Sequence, residues 1–156
     1  MTRRATIFSL ACLLAVSVQA RDACQLLTKQ DVAAVQGQPF SNARLTTRGE
    51  RSQCFYELPS FVDSVSLDVI RGSGREFWEK TFEGEEQERE EGERESPPKR
   101  VKGVGEEAFW VGSRSAGSLY VLHKKSVLRV SVGGAGTEEE KIARSKRLAA
   151  KALRRL

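Results

Sequence analysis

The sequence predicts an α+β domain with an antiparallel sheet of about five to six strands and helices packed on one face, in the order α-β-β-β-α-β-β-β-α. Three observations predict this class. Apolar residues recur at helical spacing near both ends of the mature chain, stretches of alternating apolar and polar residues lie between them, and short turns join these stretches. Strands joined by short turns pair antiparallel. The two halves repeat the same element order, so an internal duplication is a hypothesis.

The first twenty residues predict a cleaved signal peptide. Arg3 and Arg4 form a positive start, residues 7–18 form an apolar run, and cleavage is expected after Ala20. The apolar run is shorter than the about 20 residues that a membrane-spanning helix needs. Two alternatives stay open: a retained N-terminal anchor, and a lipoprotein attached through Cys12.

The mature chain, residues 21–156, is predicted to form a single domain exported to the periplasm or secreted. A domain of this length can bury about two-thirds of the surface of its unfolded chain, so it does not depend on a metal. Its net charge falls from +5 to +3 when Arg3 and Arg4 are removed. A charge this small does not indicate nucleic-acid binding.

Cleavage would leave two cysteines, Cys24 and Cys54, and an even pair in an exported chain predicts a disulfide bond. Closing a loop of about 30 residues would stabilise the fold by roughly 3–4 kcal/mol. Two free thiols are the alternative. A redox role is not indicated, because the two cysteines are far apart in sequence and form no C-x-x-C motif.

The first half of the mature chain opens with a helix. Thr28 is a candidate N-cap with Asp31 in the first turn, and Gly37 followed by Pro39 ends the helix. Residues 40–48 are polar and only weakly strand-like. After a turn at Gly49 and Glu50, two better strands are predicted at 52–58 and 62–70. In the second, Val65, Leu67 and Val69 alternate with Ser64, Ser66 and Asp68, which is typical of a half-buried strand.

A second helix is predicted from about Arg75, with one stripe formed by Phe77, Trp78, Thr81 and Phe82. It leads into a segment, residues 83–95, that contains eight glutamates and almost no apolar residue. Such a segment cannot order itself by burial, so a mobile acidic insertion is predicted near residues 84–98. Calcium capture is an alternative, although the segment lacks the ligand spacing of a defined calcium loop.

The second half predicts three strands and a final helix. A strand covers residues 108–111, and residues 117–123 and 126–132 form a hairpin across Lys124 and Lys125. Thr137 and Glu140 form a capping-box pattern. The final helix has an apolar face (Ile142, Leu148, Ala149, Ala152, Leu153, Leu156) and a basic face (Lys141, Arg144, Lys146, Arg147, Lys151, Arg154, Arg155).

Four motifs carry a family resemblance: A-C-Q-L-L-T-K-Q-D-V at residues 23–32, G-Q-P at 37–39, C-F-Y at 54–56 and G-V-G-E-E-A at 103–108. With them the chain resembles a class of small exported bacterial proteins of unknown function, many of them lipoproteins. The resemblance covers most of the mature chain and implies an α+β fold and a Cys24–Cys54 pair. It implies no activity, because the class has no catalytic residues assigned. Unlike lipoprotein members, this chain has no clear lipobox, which leaves attachment open.

No residue pattern predicts a catalytic site, a cofactor or a metal. His123 is the one histidine and has no second histidine or free cysteine to join it as a ligand. Glu106 and Glu107 come directly before Phe109 and Trp110; adjacent carboxylates on a strand point to opposite faces, so they are poor candidates for a carboxylate pair. Gly103 and Gly105 do not continue into a phosphate-binding loop.

The sequence therefore favours a non-enzymatic binding domain of the cell envelope, which contacts a protein or an envelope polymer through its sheet face or its basic helix. One alternative is an enzyme or small-ligand carrier with a pocket near Phe109, Trp110 and Tyr120. Another is weak association with anionic membranes through the final helix. The sequence leaves the oligomeric state open. The candidate interaction surface comprises Lys141, Arg144, Arg147, Lys151, Arg154 and Arg155.

Overall fold

The computed structural model describes residues 21–83, 97–112 and 116–156. The predicted signal peptide and most of the predicted acidic insertion lie outside these residues. The α+β class is confirmed, with seven antiparallel strands rather than five or six. The helices are α1 (Lys29–Gln36), α2 (Gly74–Trp78) and α3 (Glu138–Leu153). The strands are β1 (Asn42–Arg48), β2 (Arg51–Glu57), β3 (Val65–Ile70), β4 (Lys99–Arg100), β5 (Glu107–Gly112), β6 (Gly117–His123) and β7 (Ser126–Val132).

Two meanders meet at the centre of the sheet. The strand order is β1-β2-β3-β7-β6-β5-β4, so β3 from the first half pairs with β7 from the second. The sheet exceeds the predicted strand count partly because the polar segment before Gly49 forms a regular seven-residue edge strand, β1, in register with β2. The other edge strand, β4, has two residues.

The inner face of the sheet carries the main core. Leu67 of β3, Val121 of β6 and Leu128 of β7 are fully buried there. Leu148 and Ala149 of α3 pack against the same cluster, which also receives the buried residues of α1. Burying a side chain of this size contributes roughly 1.5–3 kcal/mol, so this face is the main source of stability.

The prediction that the helices pack on one face is wrong for α2. Trp78 of α2 is buried against Leu122 and Val127, which are the residues next to the inner-face Val121 and Leu128 and therefore point to the opposite, outer face. A π-helical turn, Glu79–Glu83, continues α2 and adds Phe82 to this aromatic cover. Helical periodicity correctly predicted that Phe77, Trp78 and Phe82 lie on one side of the helix and pack together. Periodicity does not indicate against which face of the sheet a helix packs.

A disulfide joins Cys24 to Cys54, with a sulfur–sulfur distance of 1.98 Å. This confirms the predicted pairing of the N-terminal segment with β2. The Tyr56 hydroxyl donates to the Ala23 carbonyl at 2.7 Å, and the Ala23 N–H donates to Ser52 at 2.9 Å. The bridge and both hydrogen bonds fasten the start of the described chain to the sheet. A structural disulfide is typical of a non-reducing compartment.

Among the residues described, no helix is both long enough and apolar enough to cross a membrane.

Candidate functional site

The outer face of the sheet contains an open groove next to the part that α2 covers. Its volume is about 780 Å³. Strands β2, β3, β7 and β6 form its floor, and the loop after β7 forms one wall. We call this feature the serine groove, because hydroxyl groups dominate its polar lining (Ser64, Ser66, Ser118, Ser131).

Strand register aligns three of these serines in a row. Ser66 of β3 pairs with Ser131 of β7, and the Ser131 hydroxyl lies 2.6 Å from the Ser118 hydroxyl of β6. Phe55 of β2 pairs with Ser66 and ends the row on an aromatic ring. Neighbouring strands lie about 4.8 Å apart, so the row crosses about 10 Å of the sheet surface.

An ion pair between a buried carboxylate and a partly exposed guanidinium lies beside this row. Asp68 pairs with Arg129 in strand register, and their side chains are 3.2 Å apart. Arg129 also donates to the Ser118 hydroxyl at 3.1 Å and lies over the Tyr120 ring. The guanidinium is thus held by a carboxylate, a hydroxyl and an aromatic face, while 38% of its side chain stays exposed.

Burial raises the pKa of Asp68, and this effect outweighs the opposing influence of Arg129 and Arg51. The charged form of the Asp68 carboxyl is therefore less favourable here than in water. Lys141 of α3 also lines the serine groove and is buried. Arg129, which stays partly exposed, offers a guanidinium at the groove although Asp68 pairs with it.

Apolar side chains form the rim. Phe55 contacts Phe61, with ring centroids 5.7 Å apart. Phe61 is 64% exposed and its neighbour Val62 is 71% exposed, which makes them two of the three large hydrophobic residues exposed in the described chain. Phe61 lies in a short 3₁₀ turn before β3. A polar floor with an exposed aromatic rim is therefore available to a ligand.

The wall after β7 is fixed by contacts from two helices. Gln36 of α1 donates to the carbonyls of Asp63 and Gly133, at 2.6 and 3.3 Å. Arg144 of α3 donates to the Ala135 carbonyl at 2.7 Å. Gly133 is required here, because a Cβ atom would lie 2.0 Å from the Val62 carbonyl oxygen. The wall is therefore held in place by α1 and α3.

The structure does not bring Phe109, Trp110 and Tyr120 together as a pocket. Phe109 and Tyr120 face outward and pack against Phe77 and Phe82 of the α2 cover. Trp110 points to the inner face and is buried in the main core. Adjacent residues on a strand point to opposite faces, so Phe109 and Trp110 cannot line one cavity on the sheet.

Most of the basic residues proposed as an interaction surface are engaged within the chain. Lys151 and Arg155 form ion pairs with Asp31 of α1, at 3.2 and 2.8 Å. Arg147 donates to the Ala34 carbonyl at 2.7 Å, and Arg144 holds the wall after β7. Arg154 is exposed, and Lys141, the sixth residue of that surface, is buried in the serine groove.

Asp31 joins these cations to the cap of α1. Its carboxylate accepts from the Thr28 backbone and hydroxyl, at 3.0 and 2.9 Å, which confirms Thr28 as the N-cap. Burial disfavours the charged carboxylate, but the Thr28 hydrogen bonds, Lys151 and Arg155 outweigh it and lower the pKa of Asp31 to about 2. Lys151 and Arg155, which the sequence placed on a candidate interaction surface, therefore clamp α3 to α1.

Glu106 and Glu107 form ion pairs or hydrogen bonds with other residues of the chain rather than a catalytic or metal-binding cluster. Glu106 pairs with Arg75 at 3.0 Å and accepts from the Lys124 N–H at 2.6 Å. Glu107 pairs with Arg100 at 2.8 Å. In residues 21–83, 97–112 and 116–156, no three of the side chains able to ligate a metal come together.

The sequence predicted the polar outer face of β3 but not the groove. Ser66 and Ser131 are far apart in the chain, and only the pairing of β3 with β7 brings them together. The available signal was the alternation itself, since Ser66 and Asp68 occupy outward positions of β3, and Arg129 and Ser131 occupy outward positions of β7.

Comparison with known proteins adds little to this description. No protein-family model matches the chain, and no curated protein matches it. The fold is similar to a crystal structure described as a GTP binding regulator from Thermotoga maritima, with 16% sequence identity and a TM-score of 0.43. The similarity covers 83% of this chain and 93% of that chain. A similarity this distant carries no argument about function.

Proposed function

We propose that the mature chain is an exported, non-enzymatic binding domain of the cell envelope. The serine groove is its binding site, and a hydroxyl-rich envelope polymer, of the polysaccharide class, is its ligand. The observation that carries this proposal is the row of Ser66, Ser131 and Ser118 hydroxyls across three neighbouring strands. The Cys24–Cys54 bridge and the signal-peptide pattern of residues 1–20 support export.

Hydroxyl groups suit a hydroxyl-rich ligand, because each can donate one hydrogen bond and accept two. Ser66 and Ser131 keep hydrogen-bonding capacity at strand spacing for an extended chain, whereas Ser118 already bonds Ser131 and Arg129. The serine hydroxyls lie among apolar groups such as Phe55 and Val62. The serine groove therefore favours a ligand that presents both hydroxyl groups and apolar faces.

The rim and the charges refine the ligand class. Phe61 and Phe55 offer aromatic surface to the apolar faces of sugar rings. Arg129 pairs with Asp68 but keeps 38% of its side chain exposed, so a carboxylate group on the polymer could bind its guanidinium as well. The proposal is accordingly a polysaccharide that carries some acidic sugars.

The test is calorimetric titration of the mature chain with two probes, neutral cello-oligosaccharides and hyaluronan oligosaccharides. Binding is expected for both, and it should be tighter for hyaluronan because its carboxylates meet Arg129. Ser66→Phe places a ring across the open floor and should abolish binding. Ala150→Phe adds the same ring on an exposed position of α3 and should leave binding unchanged.

Absence of binding to both probes would contradict the proposed ligand class. Binding that survives Ser66→Phe would contradict the proposed site. If an acidic peptide bound in the groove while both sugars failed, the domain would be a protein-binding module. Circular dichroism and thermal melting of each variant establish that it is folded.

A further inference from the structure

We propose that β1 is a self-association edge, where two copies of this chain pair antiparallel through a twofold axis at Leu45. The two edges of the sheet differ in a way that points to this. One edge ends in β4, which has two residues. The other ends in β1, which runs for seven residues in unbroken register with β2. A long regular edge strand is a template for pairing with another chain.

β1 has few of the devices that protect edge strands. It contains no proline and no lysine, and its register with β2 contains no bulge, although Arg44 and Arg48 are charged. One outward backbone donor is occupied, because the Asn42 side chain accepts from the Ala43 N–H at 2.9 Å. This contact also shows that the Ala43 N–H points away from β2. Backbone direction alternates along a strand, so the N–H and C=O groups of Leu45 and Thr47 point outward too.

Leu45 gives the axis an apolar contact. It is 47% exposed although it pairs with the buried Cys54 and faces the same side as the main core. In the proposed pair the two Leu45 side chains lie side by side on that face. Burial of apolar surface there would stabilise the pair by about 25 cal/mol for each Å² removed from water.

Charge selects this register over its neighbours. With the axis at Leu45, Arg44 lies opposite Thr46 of the second copy, and Arg48 lies opposite Asn42. An axis at Arg44 would place the two Arg44 side chains opposite each other. An axis at Thr46 would place Arg44 opposite Arg48. Like charges directly opposite are destabilising, and the Leu45 axis is also the register that pairs all seven residues.

The proposed pairing does not depend on the proposed function, because it uses no residue of the serine groove. It has a consequence if that function holds. A twofold axis perpendicular to the sheet leaves both grooves on the same face of one continuous sheet. Two linked sites on one polymer bind more tightly than either alone.

Sedimentation equilibrium of the mature chain without any ligand tests the proposal. A concentration-dependent dimer is expected. Leu45→Lys places two ammonium groups at the axis and should raise the dissociation constant by about tenfold or more. Ala150→Lys adds the same charge on α3 and should have no effect. A chain that stays monomeric up to about 1 mM would overturn the proposal.

A pair of variants tests the register. Thr46→Glu puts a carboxylate opposite Arg44 of the second copy and should tighten the dimer. Thr47→Glu makes the same charge change opposite Ala43 and should tighten it less. Equal effects would contradict the Leu45 axis. A Leu45→Cys chain should form an intermolecular disulfide, because residues paired in this way lie about 5.5 Å apart between Cα atoms.

Discussion

The two faces of the sheet are built from the same strands but are covered very differently. The inner face is apolar and lies under α1 and α3, whereas the outer face is covered by α2 at one end and open at the other. Neighbouring residues such as Leu67 and Ser66 belong to these two environments. The difference teaches that stability comes mainly from one face, while part of the other forms an open groove.

The largest expected difference in unfolding free energy is between a substitution at the covered end of the outer face and one at its open end. Trp78→Ala should lower the free energy of unfolding by about 3–5 kcal/mol, because it removes the buried ring that covers Leu122 and Val127. Phe61→Ala at the groove rim should cost no more than about 0.5 kcal/mol, since this ring is mostly exposed. Urea denaturation measures both. Equal costs would show that the rim ring is structural.

The next effect compares the two faces within β3. Leu67→Ala should cost about 3 kcal/mol, because it leaves a cavity in the main core. Ser66→Ala should change stability by no more than about 0.5 kcal/mol, since its hydroxyl has one weak partner, Gln53 at 3.4 Å. Denaturation in urea checks this pair as well. A large loss for Ser66→Ala would mean that the serine row holds the fold.

A smaller effect concerns the clamp between α1 and α3. The pKa of Asp31 is about 2 in the folded state, below the value of 3.8 for a free aspartate. A lowered pKa contributes stability above pH 4, and that stability is lost as pH falls towards 2. Asp31→Asn should remove about 2 kcal/mol at neutral pH and flatten the acid dependence of stability. Melting curves from pH 7 to pH 2 test this, and an unchanged slope would contradict the role of Asp31.

The smallest expected change in stability concerns Asp68 beside the serine groove, where the pH dependence has the opposite sign to that of Asp31. The pKa of Asp68 is raised, so the folded state favours its protonated form, and stability is lost as pH rises from 3.8 through the folded pKa. Asp68→Asn should therefore leave stability at pH 7 unchanged or raise it by less than about 1 kcal/mol. Arg129 stays partly hydrated in that variant. A clear loss at pH 7 would show that the ion pair stabilises the fold.

Local patterns predicted much of the fold. Some features depend only on residues close together in the chain, so local sequence patterns predict them. They are the capping box of α3, the end of α1 at Gly37 and the hairpin of β6 and β7. The disulfide followed from cysteine count and family resemblance.

Features that depend on distant partners were not predicted. The face that α2 covers, the clamp of Lys151 and Arg155 on Asp31, and the serine row all require the tertiary fold. Little of the edge strand β1 is buried, so it needs few apolar residues. Its sequence therefore shows only a weak alternation of apolar and polar residues. The polar residues of the candidate site could therefore be recognised in the sequence, but their assembly into a groove could not.

The most direct test of the central claim is an amide NMR titration of the mature chain with hyaluronan oligosaccharides. We expect the shifts to concentrate at Ser66, Ser131 and Ser118 on the outer face and to spare Leu148 and Ala149 of the core helix. This pattern would assign recognition to the open end of the outer face. Shifts confined to α3, or no shifts at saturating ligand, would contradict the account.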